Sequence, residues 1–344
     1  TLLLLERRRE EASASAQRPR HWRTSPPQLA GHSVLCQESA KEAAAGTKGT
    51  FAERLRRETL LLLERGPLAA SSFSSEQQPH ELLQQLGATE LAELFSRVEA
   101  LAVAVDGLAG GAAPSPRELA PVREAYARLL AAVRGVERAV FGPNALPLSR
   151  TQWWVPLLLR WRYYVCSLFS WGLLPEDVVI EVSALLRSHG AVGIVDPLAG
   201  SGWHARLWSE AGGLQAVALD AYAVRPVAWA ELTVVADSRT VPDWGLPAAG
   251  GPGAADASAW ALYLSWPPHS PETVGLDLLQ RWPSSFLIYL GERGDEASGE
   301  DGITGGRSLL EAIARDWEPL QTWVIPCWPG FADDLTVYRR KPAL

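Results

Sequence analysis

The sequence predicts an α/β protein whose main domain is a seven-stranded, mostly parallel sheet ending in an antiparallel hairpin. Within residues 146–344, short apolar runs recur, and the early ones alternate with helix-length segments, as in a parallel sheet covered on both faces. Only residues 327–334 separate the last two runs, too few for a helical crossover, so that pair is predicted to be antiparallel. The predicted strands are residues 192–196, 215–220, 232–236, 261–266, 286–291, 322–326 and 335–338.

The part of the chain before residue 146 is predicted to be helical or disordered. Residues 1–80 are expected to be of low complexity and disordered or partly helical, because residues 1–50 are rich in Ala, Ser, Arg and Glu without lasting periodicity. Residues 81–145 are expected to form a helical hairpin or small bundle, since their apolar positions recur every three or four residues. The predicted helices before the first strand are residues 51–66, 81–108, 117–141, 152–169 and 175–188.

Composition and charge limit the kinds of partner that the chain is expected to bind. Hydrophobic residues make up 47% of the 344, and 14 of the 15 tryptophans follow residue 150, so the second half carries most of the core. Residues 142–344 contain 14 Lys and Arg against 22 Asp and Glu, a balance of −8, which disfavours bulk nucleic acid as a partner. The apolar stretch 153–174 contains Arg160 and Arg162, so it is predicted to be a buried helix and not a membrane span.

The three cysteines indicate neither a metal site nor a disulfide framework. Cys36, Cys166 and Cys327 lack the spacing of metal ligands, so no metal is expected. A reducing compartment, by default the cytoplasm, is expected. Organelle targeting stays open as an alternative, since the chain begins at Thr1 and not at a methionine.

The strongest motif is residues 194–203, Ile-Val-Asp-Pro-Leu-Ala-Gly-Ser-Gly-Trp. It combines a buried strand, an acid at the strand end (Asp196) and a glycine-rich turn (Gly200, Ser201, Gly202) that leads into a helix. Glycines let the backbone approach a ligand closely, and the start of a helix offers free N–H groups. Asp220 ends the next predicted strand, where an acid can accept hydrogen bonds from two ribose hydroxyls. The pattern suits a cofactor that carries an adenosyl group and an ammonium.

The same motif resembles motif I of the class I, Rossmann-like S-adenosylmethionine-dependent methyltransferases, in the variant with Asp-Pro ahead of the glycines. Leu198 stands where the commoner form has its first glycine. The resemblance implies S-adenosylmethionine as cofactor, lined by Asp196 and residues 200–202, with the ribose on Asp220. It also implies that Asp237, which follows the third strand, contacts the adenine amino group.

A second resemblance lies at the end of the fourth predicted strand. Ser265, Trp266, Pro267 and Pro268 resemble the Asp/Asn/Ser-Pro-Pro-aromatic motif of amino-group methyltransferases. In that motif, a polar side chain and a backbone carbonyl hold the nucleophilic nitrogen. Trp266 is inserted between Ser265 and the prolines, and His269 replaces the aromatic residue. The resemblance implies that residues 265–268 form the catalytic site.

Residues 152–340 are similar to a set of eukaryotic methyltransferase-like proteins of uncharacterised substrate. The function that the resemblance implies is methyl transfer from S-adenosylmethionine to a small molecule or protein side chain, with an amino nitrogen as one expected acceptor. Two alternatives stay open. An NAD(P)-dependent oxidoreductase is one, because residues 200–205 also satisfy Gly-x-Gly-x-x-Ala. A catalytically silent binding or scaffold protein is the other, because Leu198 and Trp266 depart from the motifs.

Overall fold

The computed structural model describes residues 49–68, 77–108, 113–221, 227–234, 257–268, 273–293 and 304–342. Their contacts divide the chain into two compact units. The helical unit contains described residues up to Leu168 and residues 326–331, and the sheet unit contains described residues from Phe169 to Ile325 and from Ala332 onward. The expectation for residues 1–48 falls outside the described part of the chain.

The helical unit is built from helices with well-formed ends. Thr50 with Glu53, and Ser115 with Glu118, form capping boxes in which each pair satisfies otherwise unpaired N–H groups. The prediction of one helix over residues 81–108 is wrong, because Gly87 adopts a left-handed φ of 70° that ends the first of two helices. The helices are α1 (Phe51–Arg65), α2 (Pro79–Gln85), α3 (Thr89–Asp106), α4 (Pro116–Phe141), α5 (Leu148–Thr151) and α6 (Trp154–Leu168).

Helix α6 belongs to the helical unit, although the sequence places the domain boundary before it, at about residue 146. The indole of Trp161 is buried, packs 5.5 Å from the ring of Phe95 on α3, and donates a 2.9 Å hydrogen bond to Thr59 on α1. Arg160 pairs with Glu58 of α1. No helix in the described ranges is both long and apolar enough to cross a membrane.

The sheet unit contains a seven-stranded mixed sheet in the order β3-β2-β1-β4-β5-β7-β6. Strands β1 to β5 are parallel to one another, whereas β7 is antiparallel to both β5 and β6. The predicted α/β class, the seven strands and the antiparallel final pair are therefore confirmed. The strands are β1 (Gly193–Asp196), β2 (Gln215–Asp220), β3 (Leu232–Val234), β4 (Trp260–Ser265), β5 (Phe286–Glu292), β6 (Trp317–Val324) and β7 (Asp333–Arg340).

Strand β6 begins five residues before the run that predicted it, at Trp317 instead of residue 322. It is an edge strand, so part of each side remains exposed and residues such as Gln321 and Thr322 are polar. Pro319 and the register shift beside it suit an edge position, where a missing N–H is tolerated. The first half of this strand therefore lacks the continuous apolar run from which strands were predicted.

Helices cover both faces of the sheet. On one face, alternate residues of β4 and β5, including Leu262, Leu264 and Tyr289, pack against Leu278 and Leu309 of the flanking helices. On the other face, the ring of Tyr263 packs edge-on against Trp208 at 5.5 Å. All of β4 is consequently buried, as expected for a central parallel strand. The helices of this unit are α7 (Glu176–Ser188), α8 (Trp203–Glu210), α9 (Thr273–Arg281) and α10 (Gly306–Asp316).

Candidate functional site

The carboxyl ends of the parallel strands bring the predicted site residues to one edge of the sheet. Asp196 ends β1, Asp220 ends β2, Ser265 ends β4 and Glu292 ends β5. The strand order reverses between β1 and β4, which are adjacent in the sheet. In open α/β sheets, ligands bind outside the carboxyl ends of the strands at such a reversal.

Residues 197–202, here called the glycine turn, are held by the two acids. The N–H of Leu198 donates to Asp196 Oδ1 at 3.2 Å, and the N–H of Gly200 donates to Asp220 Oδ2 at 2.8 Å. A third bond joins the Ala199 N–H to the Leu219 carbonyl at 3.0 Å. Asp220, which lies 20 residues beyond Gly200 in the sequence, therefore meets Gly200 at the turn that Asp196 also holds.

The two glycines of this turn are required for different reasons. Gly202 has a φ of 80°, and a Cβ on it would lie 3.1 Å from both Cβ and N of Ala230. Gly200 has a φ of 59°, but a Cβ on it would meet no atom of the described residues within 4 Å. Packing restricts Gly202, whereas the space beside Gly200 is open to a ligand.

Ser201 fixes the turn from its other side. Its buried hydroxyl donates to the carbonyl of Phe169, and its own carbonyl accepts a 2.9 Å hydrogen bond from the Trp229 N–H. The Phe169 ring stacks on Trp229 at 4.9 Å and meets Trp203 edge-on at 4.8 Å. The side chain of Ser201 thus anchors the turn to residue 169.

The electrostatics of the turn favour a positively charged ligand. Asp196 is only 2% exposed. Its burial, together with the charge of Asp220, raises its pKa to about 8 against the opposing effect of the Leu198 N–H. At neutral pH the Asp196 carboxyl therefore largely retains its proton. A cation placed beside it would stabilise the carboxylate and release that proton.

Residues 265–268, here called the diproline turn, contain the one non-glycine residue of the described chain with a positive φ, Trp266 at 47°. This conformation costs about 1–2 kcal/mol. Three contacts hold it: the Trp266 N–H donates to the Leu290 carbonyl at 2.9 Å, its indole N–H donates to Asp333 at 3.0 Å, and its ring stacks on Trp171 at 5.9 Å. Strain held in this way is typical of functional sites.

The polar groups on either side of Trp266 differ in whether they have hydrogen-bond partners. The carbonyl of Pro267 accepts a 2.9 Å hydrogen bond from the Gly305 N–H, and Pro268 is half-buried. Ser265 is 8% exposed, and its hydroxyl has no hydrogen-bond partner within the described ranges. A buried polar group left unpaired costs about 1–3 kcal/mol, so a bound group that reached Ser265 would recover that energy.

Residues 169–172 contact both turns, a relationship that no sequence motif indicated. Ser170 Oγ lies 3.4 Å from Nδ1 of His204, Trp171 stacks on Trp266, and a Cβ on Gly172 would lie 2.1 Å from Leu290 Cδ2. Together with the Phe169 contacts, these interactions tie the glycine turn to the diproline turn. The aromatic, glycine-containing stretch is the only signal the sequence offers.

His204 is buried behind the glycine turn and shares a 2.8 Å hydrogen bond between its Nδ1 and the Tyr263 hydroxyl. Burial lowers its pKa to about 3, and a hydrogen bond to the Gly172 backbone offsets only part of this shift. The imidazole is therefore neutral across the physiological range. It links α8 to β4 and to residues 169–172.

Asp237 lies outside the described residues. Within the described ranges, no group of three or more His, Cys, Asp or Glu side chains could hold a metal ion. No protein-family model, curated protein or solved structure matches this chain.

Proposed function

We propose that the chain is an S-adenosylmethionine-dependent methyltransferase of the class I, Rossmann-like type, with the sheet unit as its catalytic part. One observation carries the proposal: Asp196 and Asp220, buried at the ends of adjacent parallel strands, accept hydrogen bonds from the Leu198 and Gly200 N–H groups of the glycine turn. The antiparallel β7 between β5 and β6 supports it, because class I methyltransferases have such an ending and ordinary NAD-binding Rossmann domains lack it.

The residues of the glycine turn match the chemical groups of this cofactor. Asp196, which favours a cation beside it, would bind the ammonium of the methionine moiety. Asp220 accepts from Gly200 with one oxygen, and because a carboxylate has about four lone-pair sites, it can also accept from ribose hydroxyls. Bound S-adenosylmethionine supplies a methyl group on a sulfonium, which is reactive without further activation.

The contribution of the protein to such a reaction is positioning. Holding a nucleophile in line with the methyl group can supply much of the rate enhancement. The diproline turn is adjacent to the glycine turn, because β4 is paired with β1. Ser265 would bind the acceptor there, while Trp266, Pro267 and Pro268 keep the backbone in its strained conformation.

A calorimetric titration of the full chain with S-adenosylmethionine, S-adenosylhomocysteine and NAD tests the proposal. Asp220→Asn removes a charge, and Asp196→Asn removes the carboxyl that would become a carboxylate beside a bound ammonium. Both keep an oxygen that accepts from the turn, and Glu311→Gln changes an exposed acid on α10 as the control. We expect both adenosyl ligands to bind, with affinity lower by about 10–100-fold in the two turn variants and unchanged in the control.

The other outcomes distinguish the alternatives. Binding of NAD in place of the adenosyl ligands would favour the oxidoreductase. Binding of none of the three would refute both enzyme functions and favour the scaffold. Equal affinity in all four proteins would contradict the assignment of Asp196 and Asp220 to the cofactor.

A further inference from the structure

A second pair of buried acids lies at the same edge of the sheet. Glu292 on β5 and Asp333 on β7 are directly opposed, and they are 1% and 4% exposed. Glu292 accepts a 2.9 Å hydrogen bond from the Ala332 N–H, and Asp333 accepts a 3.0 Å bond from the indole of Trp266. Because like charges in opposed positions repel, a cation bound beside the pair is favoured by both carboxylates at once.

Ser265 is the third polar group on this side of the sheet. Ser265 is paired with Leu290, so their side chains lie on the same face of the sheet. Glu292 lies two residues beyond Leu290 and therefore shares that face. Asp333 shares that face because it is opposite Glu292. The Ser265 hydroxyl is buried and lacks a partner in the described part of the chain. A buried hydroxyl without a partner indicates a ligand that forms a hydrogen bond with it, whereas buried acids alone do not.

Trp266 connects these groups. Its backbone N–H is bonded to the Leu290 carbonyl, and its indole is bonded to Asp333, so the ring is held beside the acid pair in the strained conformation. An indole ring attracts a cation placed over its face. The strain at Trp266 therefore places an aromatic surface where the carboxylates also attract positive charge.

The combination fits an ammonium group better than a metal ion. A primary ammonium has three N–H donors and no acceptor, and Ser265, Glu292 and Asp333 offer three acceptor groups. The described residues contain no set of three His, Cys, Asp or Glu side chains arranged for a metal. We propose that the methyl acceptor is a primary aliphatic amine, bound as its ammonium by these three residues beside Trp266. This inference rests on the proposed methyltransferase function.

The acid pair also accounts for the proton balance of the reaction. An ammonium has no lone pair, so it first gives one proton to a carboxylate of the pair, which later passes it to water. The nitrogen lone pair then forms the new N–C bond while the S–C bond breaks and its electron pair returns to sulfur. The product is a methylammonium and a neutral thioether. Glu292 and Asp333 thus bind the cation and receive its proton.

The test measures binding of n-butylamine and of 1-butanol, its uncharged counterpart, to the full chain saturated with S-adenosylhomocysteine. Ligand-observed NMR titration gives both dissociation constants. Glu292→Gln and Asp333→Asn remove the charge while keeping oxygens for the Ala332 N–H and the Trp266 indole. Ser265→Ala removes the unpaired hydroxyl, and Glu311→Gln is the surface control. Thermal unfolding of each variant confirms that it is folded.

We expect butylamine to bind about tenfold or more tightly than butanol, and the Glu292, Asp333 and Ser265 variants to lose that preference while the control keeps it. Equal binding of the two probes to a protein that binds S-adenosylhomocysteine would overturn the amine and leave the methyltransferase proposal intact. Failure to bind S-adenosylhomocysteine would overturn both. If the Glu292 and Asp333 variants unfold, the result for Ser265→Ala, which is the least disruptive change, decides the test.

Discussion

The backbone N–H of Gly200 donates a 2.8 Å hydrogen bond to the carboxylate of Asp220, which joins the turn after β1 to the end of β2. Two residues that ligand binding would otherwise have to bring together are already in contact. A pre-formed arrangement lowers the conformational entropy that a ligand must remove on binding. The same bond makes the stability of the turn sensitive to the side chain at position 220.

Replacing Asp220 with Ala should destabilise the protein by about 2 kcal/mol, because a hydrogen bond to a charged acceptor is lost. Asp220→Asn keeps an oxygen for the Gly200 N–H and should cost less than half as much. Urea-induced unfolding, followed by tryptophan fluorescence, measures both changes. Equal losses in the two variants would show that the charge, and not the hydrogen bond, holds the turn.

The buried Asp196 should make stability fall as pH rises from about 4 to 8. Its pKa is about 8 in the folded protein and near 3.8 in the unfolded chain, so in this window the folded state holds a proton that the unfolded state has released. The free energy of unfolding then decreases by up to about 1.4 kcal/mol per pH unit from this residue. Asp196→Asn should remove that dependence.

Urea unfolding of both proteins at pH 5 and pH 8 tests this prediction. The wild-type protein should lose stability relative to Asp196→Asn between the two values. Parallel pH profiles for the two proteins would contradict the raised pKa.

The proton on Asp196 should also affect cofactor binding. The affinity for S-adenosylmethionine should rise with pH over 6 to 8, because binding of the ammonium requires the carboxylate.

Alanine at the two glycines of the turn should separate stability from binding. Gly202→Ala should cost about 2 kcal/mol or more, since strain at positive φ adds to the contact with Ala230. Gly200→Ala carries only the strain and should cost about 1 kcal/mol. Its methyl group would occupy the open side of the turn, so it should weaken S-adenosylhomocysteine binding more than its effect on stability suggests. Calorimetry and urea unfolding give the two quantities.

The stacking of Trp171 on Trp266 should be measurable as a pairwise coupling. Trp171→Ala, Trp266→Ala and the double variant form a double-mutant cycle, and we expect a coupling of about 0.5–1.5 kcal/mol. Trp171→Phe, which retains an aromatic ring, serves as the conservative control. Additive effects of the two alanine substitutions would mean that the stacked rings contribute no shared energy to the diproline turn.

Local patterns predicted much of the sheet, because the central strands β1, β4 and β5 are fully buried and therefore apolar. The predicted limits of β2, residues 215–220, match the structure, and the short link between the last two runs correctly predicted an antiparallel pair. The start of β6 was missed because an edge strand lacks a continuous apolar run. Apolar periodicity reports burial, so it fails where a strand is exposed.

The side chains at the carboxyl edge were only partly predictable. Asp196 and Gly200 lie in one short motif, and Asp220 ends the next predicted strand, so the sequence placed all three at the same edge of the sheet. The opposition of Glu292 and Asp333 depends on the register of β7 against β5, and the stacking of Trp171 on Trp266 depends on the path of residues 169–172. Pairing register and chain path are tertiary properties that local sequence does not encode.

The insertion of β7 between β5 and β6 also orders events during synthesis. Strand β6 leaves the ribosome before β7, yet it has no place in the sheet until β7 has paired with β5. Asp333, which follows Trp266 by 67 residues, can bond the indole only at that stage. Contacts so distant in sequence form slowly because a long loop must first close. The diproline turn therefore cannot reach its final conformation before β7 has been synthesised and placed in the sheet.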